Sequence, residues 1–384
     1  MQEVEKKKIL LMEASSRQVL PIARAFKQLG YSVTTVCGNR MDLGNVTRHK
    51  DKCYVIEKVD DDFEIANAFY KQNVLEKGYD IVLPLSDFSA KIAMQNKCEW
   101  EERGCYVAVN HKRVFMDAFD KLNTMRICME NDIPCPKTIL VENAEIDYAS
   151  LNYPVVVKPR SACGSIGFHI VEDEKKLREL LKNKMHGALL VQEFIPQEGR
   201  QFNAHFVLDN NQNVKTAICT QKCRWFPIDG GASTLCRTIK NDYVISICEE
   251  LLKKIGWVGY CDVDLMEDPR DGSIRIIEIN ARISANVKIC FLAGADIAKQ
   301  IHQMSVNAPV TTYIDYLEDC RLRCIHTDLL WFIKSKNRMH AEPSWFSFRN
   351  TTDQIFSIDD MGAFIGFSWK ALLNYKKEMK RRER

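Results

Sequence analysis

The chain has 384 residues, 46% of them hydrophobic, enough to fill two or three cores. Lysine plus arginine exceeds aspartate plus glutamate by 54 − 51 = 3, so there is no basic field of the kind nucleic acid requires. Apolar runs stay short of the ~20 residues that span a bilayer, which excludes a transmembrane helix on the pattern alone.

Fifteen cysteines are scattered without zinc-ribbon spacing, and Cys219 and Cys223 have no second pair nearby. They read as buried free thiols in a reducing compartment. The chain opens with Glu3, Glu5, Lys6, Lys7 and Lys8 where a signal peptide would be apolar, so the expected location is the cytoplasm.

Residues 8–110 alternate apolar strands with amphipathic helices: Lys8–Met12, Val19–Leu29, Ser32–Val36, Tyr54–Ile56, Phe63–Glu76, Asp80–Pro84, Ser86–Glu102 and Tyr106–Val109. That pattern predicts a doubly wound parallel sheet. The first turn, Met12 to Arg17, lacks the glycines that let a pyrophosphate approach the backbone, which argues against a dinucleotide site. The turn Pro84–Asp87 ends a strand, where Ser86 or Asp87 can cap the next helix.

A helix is expected over Lys112–Asn131, ended by the prolines at 134 and 136. The stretch YPVVVKPRSACGSIGFHIV, Tyr153–Val171, reads as a strand to Lys158, a small-residue loop and a returning strand. Glycine removes side chains, backbone N–H groups can point inward, and a lysine supplies a compact charge, so such a flap suits phosphate groups. No GxxxxGK[ST] occurs, which excludes a P-loop. After a helix over Glu174–Lys184 come the strands Leu189–Ile195 and Phe202–Leu208. Residues 214–238 then carry Lys222, Arg224, Gly230 and Gly231 on a strand and loop, where cations could stabilise a moving phosphoryl charge.

The helix Tyr243–Ile255 leads to GYCDVDLMEDPRDGSIRIIEINAR, Gly259–Arg282. Two strand-like runs flank Asp-Pro-Arg-Asp-Gly turn chemistry, which predicts a β-hairpin. If it folds symmetrically about Asp271, Asp264 faces Glu278 and Asp262 faces Asn280 on one surface. Val263, Leu265, Ile277 and Ile279 then line the other. Carboxylates paired across a ladder repel unless a cation lies between them, and such oxygen donors suit Mg²⁺ that also bridges phosphates. A solvent-facing hairpin with ordinary surface carboxylates is the competing interpretation, and a one-residue bulge would break the pairing.

The run IIEINAR, Ile276–Arg282, preceded by the acidic strand position Asp264, resembles the metal-binding segment of the ATP-grasp superfamily, in its carbamoyl-phosphate synthase-like branch. The resemblance implies Asp264, Glu278 and Asn280 as ligands of two Mg²⁺ ions on ATP, with Mn²⁺ as an alternative, and Arg282 beside the transferred phosphoryl group. It implies phosphate contacts from Lys121, from Lys158 and from the flap residues Ser161, Gly164, Ser165 and Gly167. It places Gln192, Glu193 and Ile195 at the hinge, where adenine is read by backbone groups. Gln201 stands where the family usually has a ribose-binding glutamate; Glu198 is an alternative for that contact. Lys222, Arg224 and Arg282 are the candidate catalytic cations.

The resemblance further implies an α/β and α+β chain: a Rossmann-like pre-ATP-grasp domain (1–111), an ATP-grasp small subdomain with the flap (112–190), a catalytic and metal-binding subdomain (191–307) and a C-terminal extension (308–384). The implied activity is ATP-dependent ligation, in which a carboxylate becomes an acyl phosphate and is then joined to an amine. The partners are small-molecule substrates, with a homodimer as a candidate assembly. A non-catalytic MgATP-sensing module and a carbamate- or bicarbonate-phosphorylating enzyme are the alternatives. Beyond residue 282 a helix is expected over Ala293–Val306, then a Trp- and Phe-rich stretch, Asp328–Phe348. The basic tail Lys376–Arg384 follows Trp369, Leu372 and Leu373. It reads either as a solvated face or as a contact with an acidic partner or membrane surface.

Overall fold

In the computed structural model the chain is described at all residues except 1–5, 142–145, 149–150, 161–168, 185–187, 229 and 383–384. Strands β1 (Lys8–Met12), β2 (Ser32–Cys37), β3 (Lys52–Val55), β4 (Ile81–Pro84) and β5 (Tyr106–Val107) form a parallel sheet in the order β3-β2-β1-β4-β5. Strand β1 shows what the winding demands of the sequence. Ile9 and Leu11 enter one core, Leu10 and Met12 the other, so an unbroken apolar run is needed to bury both faces.

The helix Asp87–Glu101 leaves the C-terminal end of β4 through a reciprocal cap. The Ser86 hydroxyl accepts from the Ser89 N–H at 3.0 Å, and the Ser89 hydroxyl accepts from the Ser86 N–H at 3.1 Å. Ser86 is therefore the cap, and Asp87 is left in the first turn with its carboxylate available.

The sequence pattern predicts one helix over Lys112–Asn131, but there are two, Lys112–Phe119 and Lys121–Glu130. The break is at Asp120, whose backbone is extended and whose carboxylate caps the second helix through the Leu122 N–H. Lys121 is thereby placed at a helix start.

Strands β6 (Thr138–Val141), β7 (Val155–Pro159), β8 (His169–Val171) and β9 (Leu189–Glu193) form an antiparallel sheet in the order β6-β9-β7-β8. Leu177 and Leu181 of the helix Glu174–Lys184 share a core with Val155, Val157, Val171 and Val191.

The largest sheet holds β10 (Gln201–Leu208), β11 (Val214–Phe226), β12 (Ala232–Thr238), β13 (Gly259–Glu267), β14 (Ile274–Asn280), β15 (Arg321–Arg323) and β16 (Thr351–Asp353), in the order β14-β13-β10-β11-β12-β15-β16. Alternation along β10 explains its two environments. Phe202, Ala204 and Phe206 pack against the helices Lys112–Phe119, Lys121–Glu130 and Asp242–Ile255. The other face reads Gln201, Asn203, His205 and Val207, polar at the start and apolar where it meets the core shared with the parallel sheet.

One further expectation needs correction. The helix anticipated over Ala293–Val306 is two helices, Lys288–Leu292 and Ile297–Ser305, separated by Gly294 at a φ of 102° and restarted by Asp296, which accepts from the Lys299 N–H. On either side of the aromatic stretch Asp328–Phe348, β15 runs antiparallel to β12 and β16 runs parallel to β15, so both extend the large sheet. The chain ends in the helix Met361–Arg382, which returns to the parallel sheet's side, with Gly362 and Gly366 against Val46 and Lys370 paired with Asp42.

Candidate active site

Strands β13 and β14 pair with Asp262 opposite Asn280 and Asp264 opposite Glu278. The ladder does contain a bulge, but between Asp264 and Leu265, on the turn side of these pairs. Beyond it Leu265 faces Ile276, so Ile276 is fully buried, and Ile277, expected in the core, is left half-buried beside Glu278.

Strand β10 extends both rows: Asn203 lies opposite Asp264, and His205 opposite Asp262. The Asn203 amide donates to Asp264 Oδ1 and, at 3.4 Å, to Asp262 Oδ2; the Asn280 amide reaches Asp262 Oδ2 at 3.5 Å.

Four cations converge on these oxygens. Lys222 Nζ lies 3.3 Å from Asp264 Oδ1, and Lys121 Nζ lies 3.3 Å from Glu278 Oε2. Lys158 comes from β7 in the smaller sheet, where Gln192 Oε1 accepts from its Nζ at 2.7 Å. The Gln192 amide donates in turn to Thr138 Oγ1 at 2.7 Å. Arg282 reaches Asn280 Oδ1 at 3.2 Å and Asp87 Oδ1 at 3.0 Å, so it bridges the large sheet and the parallel sheet's helix.

The electrostatics follow from crowding three carboxylates and four cations. Burial, with Asp262 and Glu278 adding, raises Asp264 to about 6 against the pull of Lys222. Burial also acts to raise Glu278, but Lys121 and Lys158 outweigh it and hold the carboxyl below its ordinary value. Lys158 is lowered to about 8, chiefly by burial and then by Lys121. Burial opposes the charge of Lys222 and of Arg282, yet Asp264 on the one and Asp87 on the other leave both raised.

The donor set fits a divalent ion that shares its coordination with phosphate. Asp262 Oδ1 and Asn203 Oδ1 are buried acceptors with no hydrogen-bond partner, beside two facing carboxylates whose present counter-charges are lysines. Among the described residues no three His, Cys, Asp or Glu side chains form a self-sufficient metal cage. Asp264, Glu278 and Asn280 therefore suit an ion completed by phosphate oxygens and water.

The remaining expected residues fall as follows. Ile195 is buried at the hinge between the two antiparallel sheets. Glu193 gives its N–H to Lys137 O, and its carboxylate holds Arg275 at 2.6 Å and Arg270 at 3.1 Å. Gln201 is buried opposite Lys222 and Met266, and Glu198 is exposed. Ser161, Gly164, Ser165 and Gly167 lie outside the described residues.

Arg224 does not join the cluster. The strand pairing slips on either side of it, and its guanidinium is buried against Asp328 at 2.8 and 2.9 Å, with Arg323 on the same carboxylate at 2.7 Å. Its expected catalytic place is corrected accordingly: it ties β11 to the C-terminal region.

The motif reading passed over Asn203; it placed Asp262 on the shared face without counting it as a ligand, and it named Asp87 without its partner Arg282. The period-two pattern of Gln201, Asn203 and His205 among Phe202, Ala204 and Phe206 was the available signal for Asn203.

A parallel α/β sheet followed by two antiparallel sheets, with acidic and amide side chains facing lysines from both, is an ATP-grasp architecture. Residues 118–286 match the family described as ATP-grasp domain. D-aspartate ligase of Enterococcus faecium (strain Aus0004) is 24% identical over 260 residues, covering 61% of this chain, and the match spans only 61% of that relative's length.

Among solved structures, N5-carboxyaminoimidazole synthetase from Staphylococcus aureus complexed with ADP superposes with a TM-score of 0.67 at 14% identity, covering 87% of this chain and 86% of that one. The biotin carboxylase domain of Hydrogenobacter thermophilus 2-oxoglutarate carboxylase, in complex with MgADP, ADP and bicarbonate, gives 0.65 at 18% identity, covering 83% and 74%.

Proposed function

We propose that the chain is an ATP-dependent carboxylate–amine ligase with a Rossmann-like domain at 1–111, an ATP-grasp small subdomain at 112–190, a catalytic subdomain at 191–307 and an extension at 308–384. The observation that carries the proposal is the face-to-face placement of Asp264 and Glu278 with Lys121, Lys158, Lys222 and Arg282 around them.

In the reaction proposed, a carboxylate oxygen attacks the γ-phosphorus of ATP and ADP departs with the bridging oxygen's electron pair. An amine nitrogen then attacks the acyl carbon, phosphate leaves, and the nitrogen loses its proton to water. Lys121 and Lys158 neutralise the triphosphate, and Glu278 stays ionised between them. Lys222 and Arg282 stand where charge develops on the transferred phosphoryl group, and Asp87 fixes the Arg282 fork. Mg²⁺, as one or two ions held by Asp264, Glu278 and Asn280, would neutralise the β- and γ-phosphates when bound. The Glu193 N–H is already taken by Lys137, so a donor to the adenine edge falls to Ile195 and an acceptor to the Glu193 carbonyl.

An amino acid as one substrate is supported by the named activity of the relative from Enterococcus faecium. Fourteen free cysteines among the described residues support a reducing compartment, the cytoplasm. A sensing module without chemistry is disfavoured by Arg282, since binding alone does not require a cation tied to the neighbouring domain.

The test is ADP release with ATP, Mg²⁺, a panel of carboxylates and mixed amines. Glu278→Gln is expected to abolish carboxylate-dependent release while the chain still folds and melts cooperatively. Retained turnover in that variant overturns the assignment.

A further inference from the structure

The C-terminal helix Met361–Arg382 has one face fully used and one that is not. On the used face Ala363 is buried, Gly366 meets Val46, Ser368 Oγ and His326 Nε2 share a hydrogen bond at 2.8 Å, and Lys370 pairs with Asp42. On the other face Met361, Ile365, Trp369, Leu372 and Leu373 follow one another at steps of four, four, three and one, which places them on a single stripe.

All five point to solvent, with exposures from 41% for Met361 to 69% for Leu372. Leu329 and Ile333 are also exposed, on the helix Ile325–Lys334, which packs on the last helix through His326 against Phe364 and Phe367. Single apolar residues on a surface are ordinary, but a continuous row of this size is an interaction surface.

Charge identifies the partner. The helix's last seven residues, Lys376–Arg382, hold five Lys or Arg and one Glu, a net of 5 − 1 = +4. The whole chain carries +3, so everything before the tail sums to −1 and the positive excess is concentrated at this helix's end. A second copy would bring an equally basic tail to the contact.

An anionic lipid surface complements both features, because it accepts an apolar stripe at its acyl boundary and cations at its headgroups. Tryptophan at the middle of the stripe suits that boundary. Among the described residues no helix is long and apolar enough to cross a membrane, so the helix would lie in the surface plane.

We propose that the outer face of the helix Met361–Arg382, with its basic end, docks the protein on anionic phospholipid membranes. The full chain is expected to sediment with vesicles of phosphatidylcholine plus phosphatidylglycerol and to remain in the supernatant with phosphatidylcholine alone. Binding is expected to fall at least about tenfold at high salt, because headgroup attraction is screened.

The double variant Ile365→Asp/Leu372→Asp is expected to lose vesicle binding while keeping its melting temperature and its ATP affinity, since neither residue touches the site. Failure of the full chain to bind anionic vesicles at low salt overturns the proposal. So does sedimentation equilibrium showing a dimer that the double variant dissolves, which would assign the face to a second copy. Neither result depends on the ligase activity proposed above.

Discussion

Arg282 donates through Nε to Asp87 Oδ1 at 3.0 Å, although the two residues belong to different sheets' neighbourhoods and are 195 positions apart. The same guanidinium reaches Asn280 Oδ1 at 3.2 Å, so the orientation of the cation proposed for the phosphoryl side is set by a carboxylate outside the two antiparallel sheets. Asp87→Asn is therefore expected to lower kcat by about tenfold, ~1.4 kcal/mol of barrier, while the KM for ATP stays within about twofold. Steady-state kinetics decide it: an equal loss in ATP affinity would make Asp87 a general stabiliser of the fold.

Lys158 yields a pH prediction with a definite sign. Its folded value of about 8 lies below the ordinary 10.5, so between those values the native state binds fewer protons than the unfolded one. Stability therefore rises with pH across that window, because the cost of burying a charged ammonium is relieved as it deprotonates. Relative to Lys158→Met, the wild-type melting temperature should climb from pH 8 to 10. ATP affinity should move the opposite way, falling as the free protein loses that charge. A flat difference between the two proteins across this range would refute the burial argument.

Asn203 donates to both Asp262 and Asp264 and so moderates their repulsion. Replacing it with aspartate removes that donor and adds a fourth carboxylate to the cluster. Asn203→Asp is expected to be less stable than wild type without divalent ions and to gain more from added MgCl₂, by at least about 1 kcal/mol of linkage. Thermal melting with and without the salt, in the absence of nucleotide, gives the answer; equal increments in the two proteins would count against an ion among these oxygens.

The Arg224–Asp328–Arg323 cluster predicts a structural phenotype. Both arginines and the aspartate are almost wholly buried, and Thr234 donates to the same carboxylate at 2.7 Å. Asp328→Ala leaves two guanidinium groups unpaired and should cost about 3–5 kcal/mol in denaturant unfolding. The KM for ATP of the folded fraction should not change. A selective loss of turnover without loss of stability would restore Arg224 to the chemistry.

What the sequence made legible follows from period and spacing. The alternation of apolar strands and helices to residue 110 and the pairing of Asp264 with Glu278 could be read because both rest on local repeats that the fold preserves. Arg224 was misread because a basic residue beside glycines carries no local sign of its partner; Asp328 lies 104 positions away. The same distance hid Asp87 from Arg282. The break at Asp120 was legible in principle, since aspartate is a good cap, but its carboxylate also has a non-local partner: Arg160, just after β7, holds it at 2.8 Å. The joining of β15 and β16 to the large sheet is likewise a non-local event among three-residue strands, too short to show a period.

The slip in pairing between Asp264 and Leu265 has a practical consequence. A residue gained or lost at the hairpin tip alters the alignment only as far as that irregularity, which already tolerates two residues against one. The exposed end of the tip, Asp271–Gly272, is thus a suitable place to graft a fluorophore or an affinity tag, because the ladder on the far side stays anchored by its neighbour β10, whereas Asp268 is buried and holds Arg270 and Arg275. The same insertion placed after Glu278 would carry Asn280 and Arg282 to the wrong side of the strand.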